Sequence, residues 1–152
     1  MSRSAELDRD LILRAARSWI GTRFHFAGRI RKNTLNRGGI DCIGLIVKVG
    51  GEIGACSGGK NLESYDYLTY SRYPNFGEMK EFMDRHFLKI SENAVDIGDI
   101  MYFNFAGGLE HTAIVSDYGI IHCYLEAKSV VEHIFTDYWK KKVLGFYRYV
   151  KN

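Results

Sequence analysis

The stretch Gly38-Gly39-Ile40-Asp41-Cys42-Ile43-Gly44-Leu45-Ile46-Val47 decides how the chain is read. Two glycines make a turn, an aspartate follows, and an apolar run continues to Gly50-Gly51. Aspartate is a favoured helix N-cap, because its carboxylate accepts from backbone N–H groups that a helix start leaves unpaired. Asp41 therefore reads as an N-cap and Cys42 as the first residue of a helix. The positive end of a helix favours negative charge. A thiol there is expected to lose its proton more easily than a free one, and the thiolate is the nucleophile. The alternative for Cys42 is a small, inert hydrophobe on a core helix.

On the N-terminal side, Leu7, Leu11, Ala15 and Trp19 recur every four residues with Ile12 and Ala16 beside them. This spacing predicts an amphipathic helix that Ser4 caps and Gly21 ends. Residues 22–39 carry Arg23, Arg29, Arg31, Lys32 and Arg37 and read as a solvated basic loop, or as a basic rim beside a cleft. On the C-terminal side, residues 52–75 have no clear period. The tyrosine-rich run Tyr65–Tyr73 is either a flap over a groove or a packed surface loop. Met79, Phe82, Met83, His86 and Phe87 keep helical spacing between Glu78 and Ile90, with His86 as a packing residue.

After Asp96 the period changes to two. Strands are predicted at Ile100–Phe105, His111–Ser116, Ile120–Tyr124, Val130–Phe135 and Leu144–Val150, with turns at Gly107-Gly108 and Asp117-Tyr118-Gly119. Helices first and a meandering antiparallel sheet later give an α+β fold.

The 152 residues suit one globular domain, 1–152, with room for a core. A net charge of +3 is too small to indicate a nucleic-acid binder. No segment is long and apolar enough to predict membrane insertion, and residues 1–21 lack the apolar centre of a signal peptide. Three cysteines without C-x-x-C spacing fit a reduced compartment, so synthesis in the cytoplasm without a cleaved leader is expected. No cofactor is expected.

His111 and His122 stand eleven residues apart across a tight turn. If they pair directly, or slip by two, both rings point to one face of the sheet; a bulge would spoil this parity. A thiol at a helix start facing two imidazoles is a usable catalytic set. Cys42 would attack a carbonyl carbon, His111 would take and return the proton, and His122 would fix the tautomer of His111. The N–H of Cys42 could help hold the oxyanion. Structural histidines are the plain alternative, and a zinc site on Cys42, His111 and His122 is chemically possible. Cys123 follows His122 and should face the opposite way, into the core. His25, His133 and Cys56 have no evident role.

These residues resemble the NlpC/P60 cysteine peptidases, a papain-like family that cuts bacterial cell-wall peptides. Its members carry Asp-Cys-Ser/Leu-Gly-apolar at a helix start, here Asp41-Cys42-Ile43-Gly44-Leu45. Gly98-Asp99-Ile100, His111-Thr112-Ala113-Ile114-Val115 and Ile120-Ile121-His122-Cys123 match three further motifs in order. The resemblance runs from Trp19 to the end. It is nearest to the branch encoded with phage tails and gene transfer agents, through Trp19-Ile20-Gly21-Thr22-Arg23-Phe24, Trp139-Lys140-Lys141-Lys142 and Gly145-Phe146-Tyr147-Arg148.

The resemblance implies a papain-like domain with Cys42, His111 and His122 as a triad. It implies a peptidoglycan stem peptide as substrate, cut at the γ-D-glutamyl-diaminopimelate bond or nearby. Asp41 would contact the substrate's free amine, and phage-tail or gene-transfer-agent proteins would be partners in a particle acting on the wall. The family's assisting Tyr falls on Phe24, whose ring cannot donate, and the match does not carry over residues 27–37. A feeble or inactive tail-assembly or wall-binding module on the same scaffold, and acyl transfer on the same nucleophile, stand as alternatives.

Overall fold

The apolar spacing near the N-terminus folds as α1 (Arg9–Arg17), which buries Ile12, Leu13 and Ala16. The computed structural model describes residues 7–67 and 77–151, so Ser4 and most of the tyrosine-rich run lie outside the described residues. The N-cap is Asp8, whose carboxylate accepts from Leu11 N at 3.0 Å. α1 ends at Arg17 rather than at Gly21, because the chain turns toward the sheet, where Gly21 N donates to Val130 O at 3.0 Å.

The basic loop at 22–39 is solvated as expected at residues 32–37 but tied down at its two ends. β1 (Arg29–Ile30) pairs antiparallel with β2 (Gly39–Ile40), and single bridges join Arg23 to Ser129 and Phe24 to Ile40. Its guanidinium groups find acceptors: Arg23 Nε donates to Gly38 O at 2.7 Å, and Arg31 pairs with Glu52 and lies 4.5 Å over the Trp19 ring. Arg23, Lys32, Arg37 and Lys128 line a hollow on this side.

α2 (Cys42–Glu52) is apolar nearly all round and buries Ile43, Leu45, Ile46, Val47 and Val49, as a helix at the centre of a core must. Gly50 lets it approach its neighbours: a Cβ there would lie 2.5 Å from Leu62 and 2.8 Å from Tyr149. A small hairpin, β3 (Cys56–Ser57) with β4 (Lys60–Asn61), leads to α3 (Glu78–His86). α3 is four residues shorter than its apolar spacing suggested. Phe87 is already extended (φ −125°, ψ 158°), and β5 (Leu88–Ile90) pairs with the last strand.

β6 (Ile100–Phe105), β7 (Leu109–Val115), β8 (Ile120–Cys123), β9 (Val130–His133), the single turn α4 (Asp137–Lys140) and β10 (Val143–Arg148) complete the chain. The strands form a six-stranded antiparallel sheet in the order β5-β10-β6-β7-β8-β9. Alternation gives the sheet two buried faces. Ile100, Tyr102, Ile114, Ile121 and Cys123 join α1 and α2 in the main core, while Met101, Phe103, Ala113 and Ile120 pack with Trp139 of α4. The mixed helix and antiparallel-sheet fold is as the sequence patterns predict.

Asp99, fully buried, clips the first and last elements together. It accepts from Arg9 Nη1 (3.2 Å), Arg148 Nε (2.9 Å) and Nη2 (2.8 Å), and Asp96 N (2.8 Å). Among the described residues, no helix is long and apolar enough to cross a membrane.

Candidate active site

Cys42 opens α2 as expected, and Asp41 caps it from an extended backbone (φ −115°, ψ −177°). The cap is more heavily used than a cap requires. Oδ1 of Asp41 accepts from Gly44 N at 2.9 Å and Arg29 Nη1 at 3.1 Å, and Oδ2 accepts from Ala27 N at 2.8 Å. Arg29 also holds Asp66 through Nε (2.9 Å) and Nη2 (3.2 Å). The buried carboxylate therefore fastens β1 and the Asp66 segment to the start of α2.

The thiol is not the acidic group its helix position suggests. Burial pushes Cys42 up to about 12, and the Asp41 carboxylate pushes the same way. Hydrogen bonds to Thr112, through its backbone and side chain, and to the Ile43 backbone act in the opposite sense without prevailing. Removing a thiolate from water costs more here than the end of one helix returns. Cys42 in this state is a neutral thiol.

β7 and β8 supply the imidazoles. Their ladder pairs Ile114 with Ile121 and Val115 with Ile120. Continued by one step, that register sets His122 opposite Ala113, the slip of two that keeps both rings on one face. His111 Nε2 lies 2.7 Å from His122 Nδ1. A third ring extends the row: His122 Nε2 lies 2.7 Å from Nε2 of His133 on β9, and His133 Nδ1 lies 2.9 Å from Ile134 O. The sequence reading gave His133 no role, although it repeats the eleven-residue spacing. Trp139 stands against all three, its ring centroid 5.8, 4.7 and 5.7 Å from His111, His122 and His133. Burial lowers His111 to about 3, and burial with the two flanking rings lowers His122 to about 2, so both are neutral.

Cys42 and the histidines meet at β7 from different sides. Thr112 and Ile114 face α2, and the Thr112 hydroxyl donates to Cys42 O at 3.3 Å. His111, one residue earlier, faces the Trp139 side. Among the described residues, no hydrogen bond joins the Cys42 thiol to either imidazole; the Thr112 hydroxyl bonds the Cys42 carbonyl, which ties the start of α2 to β7. The β7–β8 ladder stops at Ile114, which leaves the strands unpaired at the level of Thr112 and His122.

Phe24 is half-buried beside Ile40, two residues before Cys42, and offers only an apolar ring. Cys123 is buried on the helix side, its thiol donating to Ile40 O at 3.3 Å. Cys56 is part-exposed, with its thiol on Gly54 O. His86 packs between Tyr65 and Phe82 and contacts Ser57 Oγ at 2.8 Å. The ring nitrogens of the histidine row face one another. Among the described residues, no group of His, Cys, Asp or Glu converges as a set of metal ligands.

Comparison with solved structures decides what this arrangement resembles. Over 97% of its length the chain superposes on an NlpC/P60 family protein from Bacillus cereus, with a TM-score of 0.65 at 16% identity, covering 41% of that protein. An NLP/P60 family protein from Staphylococcus aureus, described as similar to a lipoprotein, gives 0.62 at 19% identity over 100% of this chain and 45% of that one. The fold is that of NlpC/P60 domains. The NlpC/P60 domain of the peptidoglycan hydrolase SagA is matched along nearly its own length, 97%, with 92% of this chain, a TM-score of 0.54 and 20% identity. The chain thus spans less than half of the first two proteins and nearly all of an isolated NlpC/P60 domain. No protein-family model and no curated protein matches the sequence.

Proposed function

We propose that the chain is a thiol hydrolase of bacterial cell-wall peptides. The observation that carries this is the His111 Nε2–His122 Nδ1 contact of 2.7 Å on β7 and β8, the same strand β7 that the helix-start Cys42 meets, in an NlpC/P60 fold. One neighbour of that fold is described as a peptidoglycan hydrolase, which supports a wall peptide as substrate. The nearer proposal is the γ-D-glutamyl-diaminopimelate bond, cut by an enzyme carried on a phage-tail or gene-transfer-agent particle.

The resting thiol and imidazole are both neutral, which favours general-base catalysis over a standing ion pair. Nε2 of His111 is engaged by His122, so Nδ1 is the nitrogen left to receive the thiol proton. Attack requires Cys42 Sγ to come within reach of Nδ1 from the α2 side of β7. As its S–H proton passes to Nδ1, sulfur bonds to the carbonyl carbon. The new oxyanion takes backbone N–H groups at the start of α2. The tetrahedral intermediate collapses as Nδ1–H protonates the leaving amine. Water, deprotonated by the same nitrogen, then releases the acid and restores the thiol. Asp41 accepts from Gly44 N, Arg29 and Ala27 N, so a substrate amine reaching it competes with these donors.

Phe24 and the raised Cys42 thiol favour a second reading, a wall-binding module with little turnover. Mass spectrometry of muropeptides incubated with wild type, Cys42→Ala and His111→Ala separates the two. A defined fragment released by wild type alone supports hydrolysis and names the bond. Binding to sacculi with no fragment overturns it.

A further inference from the structure

The histidine row runs through three strands, and its hydrogen bonds have a direction. The carbonyl of Ile134 can only accept, so His133 Nδ1, 2.9 Å away, carries a proton. With one proton to each ring, His133 Nε2 is a lone pair, and the contact of 2.7 Å to His122 Nε2 needs a proton on His122. His122 in turn accepts at Nδ1, so the 2.7 Å contact to His111 places the proton on His111 Nε2. His111 Nδ1 is left bare. That is the only tautomer in which His111 can take a proton from a thiol. The backbone orients the row as well: His122 pairs with Val131 and Ile120 with His133, so each ring sits diagonally two residues from the last.

From this we infer that His133, anchored on the Ile134 carbonyl, is a positioning residue that sets the tautomer of His111 through His122. Without it, His122 Nε2–H has no acceptor in a pocket closed by Trp139 and Tyr124, and the ring gains by turning its proton round. Reversal at His122 puts Nδ1–H against His111 Nε2. His111 must then carry its own proton on Nδ1, which blocks the base. Gly119 keeps the geometry tight, since a Cβ there would lie 2.0 Å from the His133 carbonyl oxygen. The use of the base rests on the hydrolase reading; the protonation pattern does not.

Long-range ¹H–¹⁵N correlation on the uniformly labelled full chain at neutral pH reads which nitrogen of each ring holds the proton. Wild type should show Nδ1–H at His133, Nε2–H at His122 and Nε2–H at His111. A proton on His111 Nδ1 or His122 Nδ1 overturns the inference without any variant. In His133→Phe, His111 should become a mixture of tautomers, and in His133→Gln, whose amide oxygen can accept, it should revert to Nε2–H. An unchanged His111 in His133→Phe overturns the inference. If wild type cleaves muropeptides, kcat should fall on the order of 10-fold in His133→Phe with KM unchanged. Expected tautomers with no cleavage by wild type would uphold the row and sink only the hydrolase reading.

Discussion

The Cys42 thiol gives the sharpest test of the resting site. Burial moves it from an ordinary 9.0 to about 12. At neutral pH it then holds about one-thousandth of the thiolate of an exposed cysteine. A more basic thiolate is a better nucleophile, with a Brønsted slope of about 0.4–0.5 toward disulfides, which returns roughly 16- to 32-fold. Cys42 should therefore react with a small disulfide such as dithiodipyridine about 30- to 60-fold more slowly than a cysteine in an unstructured peptide. The rate should climb tenfold per pH unit through pH 7–9 with no plateau. Stopped-flow absorbance on the Cys56→Ser, Cys123→Ala background isolates the one thiol. A rate that is flat from acid to neutral pH would mean a standing thiolate–imidazolium pair and would refute the argument from burial.

Acidification should destabilise the fold through its buried imidazoles. His111 and His122 lie below their ordinary 6.5, at about 3 and about 2, so the unfolded chain takes up protons first as pH falls. Stability present above pH 6.5 should drop from there toward pH 3 by roughly 1.4 kcal/mol per pH unit for each ring, and His122→Gln should flatten that slope in urea titrations. Asp99→Ala should cost roughly 3 kcal/mol, read as a lower urea midpoint at constant m, because Arg9 and Arg148 lose their shared partner. Gly50→Ala should cost roughly 1–3 kcal/mol in the same assay, since the added methyl meets Leu62 and Tyr149.

What the sequence revealed was local. Asp41 and Cys42 could be read because a cap and an apolar run occupy adjacent positions, and β6 to β9 because alternation and turn glycines are short-range signals. The His111–His122 contact followed from parity across one turn. The acidity of Cys42 is not legible in the sequence because the cost of burial depends on how the whole chain packs, whereas the helix-end effect is visible in the residues beside it. Arg29 reads as solvated in the sequence because its carboxylate partners, Asp41 and Asp66, lie outside its own loop. β5 was absorbed into the preceding helix because its pairing partner is the last strand. His133 is not legible from its repeated spacing alone, since its place in the row depends on two strand registers, β7–β8 and β8–β9, rather than one.

Trp139 gives this molecule an internal lamp. Its indole rests against His111, His122 and His133, while Trp19 lies elsewhere beneath the Arg31 guanidinium. An imidazolium quenches a touching indole and a neutral imidazole does so far less. The emission of Trp139, in a Trp19→Phe background, therefore dims or brightens with charge arriving on the row, so protonation there can be watched without a label.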